Sequence, residues 1–427
     1  MQNYYPLILM KKMKNRIKLL CTLSVLNVIA CAPANQTRSL PDNASIPQVK
    51  VLIQKSPSVS LYANTAFAVR DNVSSQDVGY VSADQRIELK FKNDKIEVFD
   101  AQGKSLGAYA SLSMITKSAN IRYSVGGNAY RGSLLIVPEG ETLIVINILD
   151  MESYLMGVVR NEIGNLTPDQ LDAAKAQAVA ARTYAVRYKG KYAQYDYMSD
   201  VNDQVYEGAS SENDLTSQAV IETIGEIASS DGKPIDAFYF STCGGVTANV
   251  QEVWKSSVPT QYLTSIHNEV AGKNLCEESP HYRWELNWTG EEIEKLIKEN
   301  LKVVLPQEEV SRVEGQRLYN LAVILRDSSQ RVKEFKIGFT KDNFVVSGEQ
   351  ARRILRGEKY ILYSSLFRLD LTRNPDGTIQ SVKCKGAGFG HGVGMCQYSA
   401  RTMAKQGYTY KQILQFFYRG TTIKKEY

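Results

Sequence analysis

The stretch "TPDQLDAAKAQAVAARTYAVRYK", at residues 167–189, constrains the fold more than any other part of the chain. Thr167 suits a helix N-cap, Pro168 suits the first helical position, and Gln170 completes a capping box. The helix that this pattern predicts carries alanine on nearly every side. Small side chains let neighbouring elements approach the backbone from all directions, so we expect a central, well-buried helix.

The stretch "YLMGVVRNEIGN" comes shortly before it and predicts a second helix. Counted from Leu155, three apolar residues fall on one face, which indicates that this face is buried. Glu162 falls on the same face, two residues before a glycine that favours a helix end. Its carboxylate is either a helix-end group paired with Arg160 or Lys175, or a group whose burial serves chemistry. Periodicity leaves both interpretations open.

Residues 47–142 have a mostly β pattern. The stretch "RIELKFKNDKIEVFDAQGKSLG" predicts strands joined by tight turns at "ND" and "QG", and "YRGSLLIVPEGETLIVINIL" predicts another hairpin. Residues 143–427 mix helical stretches with further hairpin signals. The sequence therefore predicts an α+β fold, in which a β-rich N-terminal part at 47–142 precedes a mixed α/β core at 143–427 around the buried, alanine-rich helix.

Residues 1–30 have the pattern of a secretory signal. Basic residues without any acidic one precede the apolar run "LLCTLSVLNVIAC", which is too short for a comfortable membrane span. Its end, "VIAC", resembles a bacterial lipobox, with Cys31 as the lipid-modified first residue of the mature protein. An ordinary cleaved signal with an incidental cysteine is the alternative. Residues 31–46 are polar with scattered prolines and predict a disordered tether.

The overall charge gives no reason to expect nucleic acid binding. The chain has 51 basic and 45 acidic residues, which gives a net charge of +6. Five of the basic residues lie in the signal, so the remaining 46 nearly balance the 45 acidic ones. The basic character therefore belongs mainly to the N-terminus, and no basic surface for nucleic acid is predicted.

The chain has three histidines, and one of them has unusual neighbours. His391 lies in "GFGHGVGMCQ", where clustered glycines let the backbone approach a ligand or adopt positive φ. We expect His391 to line a functional cleft. The spacing fits neither the dinucleotide fingerprint nor a Walker loop. A nucleophilic Cys396 paired with His391 is a further, weaker interpretation.

Four cysteines follow the signal and the lipobox, namely Cys243, Cys276, Cys384 and Cys396. Outside the cytoplasm, disulfides are the default expectation. However, Cys276 and His281 lie close together in one loop. With Cys243 and His267 they would form a closed tetrahedral zinc site of two thiolates and two imidazoles. The spacing matches no standard zinc finger, so one structural zinc and a disulfide at Cys243 and Cys276 both stay open.

Six blocks carry a resemblance to a known family. In chain order they are "YLMGVVRNEIG", "AAKAQAVAARTYA", "STCGGVT", "SPHYRW", "GAGFGHGVGMCQYSA" and "ILQFFYRGTTI". Together they resemble the stage II sporulation protein D / LytB amidase-enhancer family, over roughly residues 143–427. The resemblance implies that this part is a catalytic domain of an exported protein that processes peptidoglycan.

The resemblance also implies residue roles. Sporulation members are lytic transglycosylases, and their catalytic acid corresponds to Glu162. Members of this type can bind zinc through cysteine and histidine residues near the cleft, which Cys276 and His281 match, while adding Cys243 or His267 is our inference. Other relatives are named only as enhancers of amidases, so a non-catalytic, glycan-binding lipoprotein that activates an N-acetylmuramoyl-L-alanine amidase is the alternative function.

The implied reaction sets what the site must do. Glu162 would protonate the glycosidic oxygen between N-acetylmuramic acid and N-acetylglucosamine in denuded strands. It would then help the muramic 6-hydroxyl attack the anomeric carbon, giving a 1,6-anhydro end. Because no water enters, a second catalytic carboxylate is not required, unlike in standard hydrolysis. The candidates for substrate binding are Gln177, Arg182, Tyr184, His391 and Gln397.

The expected partners and location follow from the same features. We expect the protein to bind peptidoglycan glycan strands, to act beside a cell-wall amidase if it is an enhancer, and to be held at a membrane by lipid on Cys31. The expected location is the cell envelope, as an exported lipoprotein.

Overall fold

The protein is described by a computed structural model that covers residues 46–254, 258–356 and 361–427. The chain has an α+β fold, as the sequence predicts. The predicted signal at 1–30, the predicted lipidation site Cys31 and all but the last residue of the predicted tether lie outside the described residues. Within the described ranges, no helix combines the length and the apolar character needed to cross a membrane.

The N-terminal part consists of strands. In chain order they are β1 (Gln48–Ser56), β2 (Ser58–Ala63), β3 (Phe67–Asp71), β4 (Asp77–Val81), β5 (Ile87–Lys92), β6 (Lys95–Phe99), β7 (Ser105–Tyr109), β8 (Leu112–Ile115), β9 (Tyr123–Val125), β10 (Asn128–Tyr130), β11 (Ser133–Glu139) and β12 (Thr142–Asp150). Joined by β13 (Tyr197–Met198), they form a seven-stranded sheet ordered β13-β1-β12-β11-β8-β3-β4 and a six-stranded sheet ordered β10-β9-β2-β5-β6-β7.

Two predicted hairpins are confirmed in register. Strands β5 and β6 pair around Asn93 and Asp94, which have φ of 51° and 57°. Positive φ at both central residues is the requirement of a type I′ turn, which the "ND" signal predicts. Strands β11 and β12 pair antiparallel from Glu139 and Thr142 onward. The second hairpin matters most for function, because β12 leads directly into the first helix.

Helices are concentrated after residue 150. They are α1 (Met151–Ile163), α2 (Leu171–Tyr188), α3 (Asp214–Glu222), α4 (Val250–Val253), α5 (Gly290–Leu301), α6 (Gln307–Ser311), α7 (Gly348–Ile354), α8 (Gln397–Lys405) and α9 (Tyr410–Phe417), with short 3-10 turns at Pro168–Gln170 and Gly208–Ser211. Thr167 caps the turn that runs into α2, with the predicted capping box to Gln170. The alanines of α2 are buried on all sides, so the expected central helix is confirmed.

The remaining strands form small sheets. They are β14 (Glu226–Ser230), β15 (Lys233–Pro234), β16 (Tyr239–Phe240), β17 (Glu269–Val270), β18 (Lys273–Asn274), β19 (Trp284–Thr289), β20 (Leu318–Arg326), β21 (Val332–Phe339), β22 (Asn343–Ser347), β23 (Phe367–Arg373), β24 (Ile379–Gly386), β25 (Met395–Cys396) and β26 (Thr422–Lys425). Three of these sheets are three-stranded, and two of the three lie close in sequence, β19-β24-β23 and β20-β21-β22.

The buried apolar residues form two clusters. The first core joins the N-terminal sheets to α1, α2, α8 and α9 and runs from Ile46 to Tyr418. The second core lies within residues 293–384 and includes α5, α7 and the two three-stranded sheets. Because β12 contributes to the first core together with α1 and α2, the predicted boundary between residues 142 and 143 falls at the start of a strand shared by sheet and helices. The domain division itself stays a prediction.

A short parallel pairing positions the site. Strand β16 pairs with β25, so that Tyr239 lies beside Met395 and Phe240 beside Cys396. An isolated bridge between Thr242 and Phe389 extends the contact. Two chain segments about 150 residues apart in sequence are therefore adjacent, directly before α8.

Candidate functional site

Glu162 lies in the last turn of α1, at the edge of a buried face. Leu155, Val158 and Val159 on that face are fully buried in the first core, as the periodicity predicts. Gly164 ends the helix with φ of 78°, a value that favours glycine. Glu162 therefore lies where the apolar face of α1 ends, and its side chain is half-buried.

The carboxyl group of Glu162 has neutral hydrogen-bond partners. The backbone N–H of Val205 donates to Oε1 at 2.8 Å. The polar ends of Gln397 and Tyr239 also lie close enough to lower its pKa. Glu162 forms no ion pair with a residue of the described ranges, and Lys175 pairs with Glu222 at 2.8 Å instead. The interpretation of Glu162 as a helix-end ion-pair partner therefore has no support in the structure.

This environment changes the acidity of Glu162. Burial disfavours the charged carboxylate and raises the pKa of Glu162 to about 7, while the hydrogen bond from Val205 and the polar ends of Gln397 and Tyr239 act in the opposite direction. An ordinary glutamate is almost entirely ionised at neutral pH. With its raised pKa, Glu162 keeps its proton to a far higher pH than an ordinary glutamate does.

A groove of about 410 Å³ opens in front of Glu162. Its lining includes Glu162, Tyr184, Asp203, Phe238, Tyr239, Trp254, Phe389, His391 and Gln397. Most of these residues come from the loop after α2, from β16 and its flanks, and from the glycine-rich loop before β25. Aromatic walls with a few convergent polar groups are typical of a small-molecule or oligosaccharide site.

The groove contains a second carboxylate with a different environment. Asp203 has a fully buried side chain, and Lys191 pairs with it at 2.7 Å. The Tyr184 hydroxyl donates to the same oxygen at 3.0 Å, and the Met198 backbone N–H donates to the other oxygen at 2.9 Å. Because a cation and two neutral donors satisfy Asp203, its role in the groove is to hold Tyr184 and the loop around it.

Three other predicted binding residues lie at or behind the groove. Gln397 lines it and donates from Nε2 to Oε1 of Gln177 at 3.4 Å. Gln177 is fully buried on α2, so it supports Gln397 from behind. His391 lines the groove, accepts the Val393 backbone N–H at Nδ1, and lies with Nε2 3.1 Å from the carbonyl oxygen of Tyr239.

The bonds of His391 fix its state. Because Nδ1 accepts, Nε2 is the protonated nitrogen that donates to Tyr239. Burial lowers the pKa of His391 to about 3, so the ring is neutral at physiological pH. His391 therefore ties the glycine-rich loop to β16. The hydrogen bonds of His391 run to Tyr239 and Val393 rather than to Cys396, so they do not support the nucleophile pair.

The prediction that Arg182 binds substrate needs correction. Its guanidinium pairs with Glu152 through two hydrogen bonds of 2.8 and 2.6 Å, and both side chains have 0% exposure. A further bond runs to the carbonyl oxygen of Glu226 at 3.0 Å. Helical spacing placed Arg182 on a face of α2 without showing what covers it, and that face is closed by α3 and β14.

Three cysteines meet behind the groove, and we call Cys243, Cys276 and Cys396 the cysteine trio. Their sulfur atoms all lie within 4.8 Å of one another, and all three residues are buried. The Sγ atoms of Cys243 and Cys276 are 3.3 Å apart, which is longer than a disulfide bond. The predicted proximity of Cys243 and Cys276 is confirmed, and Cys396 joins them through the pairing of β16 with β25.

The two histidines of the predicted metal site lie elsewhere, which corrects the ligand set. His267 is exposed in a bridge with Val246. The ring of His281 packs against Tyr363 and Phe389, with centroids 4.7 and 4.8 Å away. Closeness in sequence to Cys276 was a poor guide, because the chain turns between residues 276 and 281 and directs the imidazole to an aromatic cluster.

A buried cation lies beside the trio. Arg331 is fully buried, and its Nη2 donates to the carbonyl oxygen of Cys243 at 3.0 Å. No acidic side chain pairs with Arg331 within the described part of the chain. The trio is therefore a buried sulfur cluster next to a guanidinium without a direct ion-pair partner. Burial raises the pKa of the Cys243 and Cys396 thiols, whereas hydrogen bonds from the other two cysteines lower the pKa of Cys276.

Several residues of the groove escape sequence reasoning. Tyr239 contacts Glu162, and its hydroxyl donates to Gln204 at 2.8 Å. Trp254 and Asp203 line the groove from loops without a periodic pattern. The one available signal was the scarcity of tryptophan, since the chain has only three, but scarcity does not show which one faces a cleft.

Comparison with known proteins places the chain. A model of the family described as Stage II sporulation protein matches residues 139–229, which include α1 and α2. Stage II sporulation protein D of Bacillus subtilis is 30% identical over 325 residues, which cover 71% of this chain and 82% of that protein. The chain belongs to the stage II sporulation protein D / amidase-enhancer family.

Two other relatives extend the comparison within the family. An uncharacterized protein of Brachyspira hyodysenteriae is 32% identical over 305 residues, covering 70% of this chain and 74% of that protein. The amidase enhancer of Bacillus subtilis is 26% identical over 418 residues, covering 89% of this chain. This chain spans 56% of the amidase enhancer's length.

The family match leaves part of the chain without an assigned role. Residues 233–394 match a domain of unknown function. That segment contains the whole second core, His391 and two members of the cysteine trio. Glu162 lies in the part that matches the Stage II sporulation protein model, so the groove draws residues from both matched segments.

Proposed function

We propose that the protein is a cell-wall enzyme, a peptidoglycan lytic transglycosylase that uses Glu162 as its general acid and base. The observation that supports this most is the carboxyl group of Glu162, which faces an open groove, has neutral partners, and has its pKa raised to about 7. A general acid works best when its pKa lies near the operating pH. Family membership supports the same assignment.

The first step breaks the glycosidic bond. Glu162 donates its proton to the oxygen that links N-acetylmuramic acid to the next N-acetylglucosamine. The bond between that oxygen and the muramic anomeric carbon breaks, and positive charge develops on the ring as in an oxocarbenium ion. The bonding electrons stay with the leaving oxygen, which becomes a hydroxyl group.

The second step closes the new end. The Glu162 carboxylate accepts the proton of the muramic 6-hydroxyl while that oxygen bonds to the anomeric carbon. The product is a 1,6-anhydro end, and Glu162 is protonated again for the next cycle. No water is consumed, so Asp203 is free to remain paired with Lys191 rather than act as a second base.

The groove walls have a binding role in this proposal. Trp254 and Phe238 pack edge to face with centroids 5.0 Å apart and offer apolar faces to sugar rings. Gln397 and Tyr184 line the same groove as Glu162 and offer polar groups to a ligand. Gln177 and His391 act as positioning residues, because their contacts run to Gln397 and to the backbone of Tyr239.

The direct test is product analysis. Denuded glycan strands are incubated with the wild-type chain and with Glu162→Gln, and products are identified by mass spectrometry. We expect 1,6-anhydro ends from the wild type and a loss of about a hundredfold or more in the variant, the usual contribution of a general acid. Glu207→Gln, an exposed glutamate, is the matched control. A Glu162→Gln variant as active as this control would overturn the assignment.

The alternative function is a non-catalytic, glycan-binding activator of a cell-wall amidase, which the name of the amidase enhancer from Bacillus subtilis supports. It predicts that the wild type and Glu162→Gln stimulate an N-acetylmuramoyl-L-alanine amidase equally while neither releases anhydro sugars. Measuring anhydro-sugar release and amidase stimulation for the wild type and Glu162→Gln therefore distinguishes the two functions.

We further propose that the cysteine trio holds one structural zinc ion. A tetrahedral zinc with Zn–S bonds of about 2.3 Å separates its sulfurs by about 3.8 Å, and the trio lies in this range. The ion would connect β16, the loop at Cys276 and β25. It would supply stability rather than chemistry.

The zinc proposal competes with a disulfide between Cys243 and Cys276. Zinc predicts about one ion per chain and a loss of thermal stability with chelator and in Cys276→Ser. The bridge predicts sensitivity to reductant instead, with no metal and no free thiol at these two positions. Cys384→Ser, in the second core, is the control because it removes a buried cysteine outside the trio. Elemental analysis with thiol counting decides between them.

The lipid anchor on Cys31 and a location in the cell envelope complete the proposal. Metabolic labelling with a palmitate analogue tests the anchor, with Cys31→Ala as the control. Label in the wild type and none in the variant is the expected outcome, and an unlabelled wild type contradicts it.

A further inference from the structure

A second cavity of about 800 Å³ lies outside the groove. We call it the basic pocket and define it by Arg283, Trp284, Glu285, Arg326, Arg368 and Lys385. All of these residues fall within the segment that matches a domain of unknown function. The pocket is therefore the most prominent feature of a region with no assigned role.

The charges of the basic pocket are not balanced. Four basic side chains face one acidic side chain, Glu285, which already pairs with Lys383 at 3.1 Å. Lys385 pairs with Asp370 at 3.1 Å. The three arginines form no ion pair with any residue that the structure describes. An anionic ligand would therefore meet three uncompensated guanidinium groups.

Two of these arginines are held in place by backbone carbonyl groups. Arg326 donates from Nη1 to Gln330 at 2.8 Å and from Nη2 to Phe367 at 2.9 Å. Arg283 donates from Nη1 to the carbonyl oxygens of Gly244 and Tyr282 at 2.9 and 2.7 Å. Each guanidinium keeps further N–H groups for a ligand. Fixed donors lower the entropic cost of binding, and arginine suits carboxylates and phosphates because it can donate twice.

The half-buried position of Arg326 adds to this. Burial lowers the pKa of its guanidinium, which means that its charge is poorly solvated in the free protein. An anion bound in the pocket would stabilise this guanidinium charge in place of the missing water.

The basic pocket and the groove share a wall. Ala387 lines the pocket and Phe389 lines the groove, so the two cavities are separated by two residues, or at most about 7 Å along the chain. Trp284 donates from its indole Nε1 to the carbonyl oxygen of Gly388 at 2.9 Å and fixes the segment between them. Binding to both cavities requires a polymer that extends from the groove past this segment to the arginines.

We propose that the basic pocket is a second, remote subsite that binds the free lactyl carboxylate of a muramic residue away from the bond that is cut. The proposal rests on the proposed function, because it assumes that a glycan strand occupies the groove. In a denuded strand each muramic residue carries such a carboxylate, whereas in a peptide-bearing strand the same carboxyl is an uncharged amide. The pocket would therefore add affinity only for strands long enough to reach it.

Binding measurements test this without cleavage. The full chain, purified in detergent and carrying Glu162→Gln, is titrated calorimetrically with denuded glycan oligosaccharides. The probes are a disaccharide, a dodecasaccharide, and the dodecasaccharide with its carboxyl groups converted to carboxamides. The test variant adds Arg283→Gln and Arg368→Gln, two exposed positions. The control adds Arg86→Gln, an exposed arginine in the N-terminal part.

We expect the double arginine variant to bind the acidic dodecasaccharide at least about tenfold more weakly, with the disaccharide unchanged. The carboxamide probe should bind the parent chain about as weakly as the acidic probe binds the double variant. Equal affinity of the double variant and the control for the acidic dodecasaccharide would overturn the proposal. So would tighter binding of poly(glycerol phosphate) than of the dodecasaccharide, which would assign the pocket to a phosphate polymer.

Failure of this subsite and failure of the proposed function give different results. If Glu162→Gln still releases anhydro ends, the assigned acid is wrong, yet loss of binding in the arginine variant would still support the subsite. If Glu162→Gln is inactive and the arginine variant binds normally, only the subsite is wrong.

Discussion

Two glutamates at opposite ends of α1 show how partners decide what a buried carboxylate does. Glu152 lies in the first turn and is fully buried against Arg182, with further hydrogen bonds from the Gly225 backbone N–H and the Tyr427 hydroxyl. Glu162 lies in the last turn and has only neutral donors. The same residue type on the same helix is thus the partner of a buried arginine in one place and a carboxyl group with a raised pKa in the other.

The difference teaches where to look for chemistry in such a helix. A buried carboxylate with a bidentate arginine is charged and immobile, so it contributes to structure. A carboxylate in a partly apolar setting without a cation keeps a proton near neutral pH, so it can donate one. Burial is common to both sites, and the presence of the cation separates them.

The largest expected effect comes from breaking the pair at the first end. Arg182→Ala leaves Glu152 buried without its cation, and we expect a loss of about 3–5 kcal/mol in the free energy of unfolding. Chemical denaturation at pH 7 measures it. The double variant Arg182→Met with Glu152→Leu removes both charges and should recover much of that loss. Equal destabilisation by the single and double variants would mean that side-chain packing, and not the Glu152–Arg182 charge pair, stabilises the N-terminal end of α1.

The second prediction concerns Glu162 at the C-terminal end of α1, where removal of the charged group should stabilise the folded protein instead of destabilising it. The pKa of Glu162 is about 7 in the folded protein and close to 4.5 when unfolded, so ionisation costs stability as the pH rises through 7. Glu162→Gln should therefore stabilise the protein by about 2 kcal/mol at pH 8.5, after allowance for partial exposure, and by little at pH 4.5.

Denaturation of Glu162→Gln and the wild type at both pH values checks this second prediction. The exposed Glu207→Gln serves as the control and should show no such pH dependence. A pH-independent difference between Glu162→Gln and the wild type would contradict the raised pKa.

The smallest expected effect is a change in the pKa of Glu162 that leaves Glu152 unaffected. Tyr239→Phe removes a nearby hydroxyl group that lowers the pKa of Glu162, so that pKa should rise further by less than about one unit. In the pH profile of kcat/KM, the loss of activity at high pH should move upward by the same amount. Tyr410→Phe removes a hydroxyl that bonds Glu226, outside the groove, and should leave the profile in place. If the pH profile of kcat/KM were the same in Tyr239→Phe and the wild type, the loss of activity at high pH would not be due to ionisation of Glu162.

The local half of this site could be predicted from the sequence. The apolar face of α1, the position of Glu162 on it and the capping box before α2 depend on residues a few positions apart, where helical period and capping chemistry dominate. Hairpin turns such as Asn93–Asp94 were predictable for the same reason.

The long-range half could not be predicted, because it depends on pairings that leave no periodic signal. Cys243 and Cys396 meet only because β16 pairs with β25, and Arg182 is covered by elements that follow it in the chain. His281 failed as a predicted metal ligand since short sequence distance to Cys276 says little when the chain turns between them. Side-chain partners, unlike faces, are decided by tertiary packing.

The pairing of Trp284 with Gly386 has a consequence for how such a chain can change. These residues are register partners in β19 and β24, and the second core lies between them. The segment thus leaves the body of the protein and returns to it at neighbouring points. A unit joined in this way can be gained, exchanged or lost in a single genetic event, because the chain path through the other part of the protein does not change. Replacement of this unit would leave Glu162, α1 and α2 in place, because all three precede it in the chain.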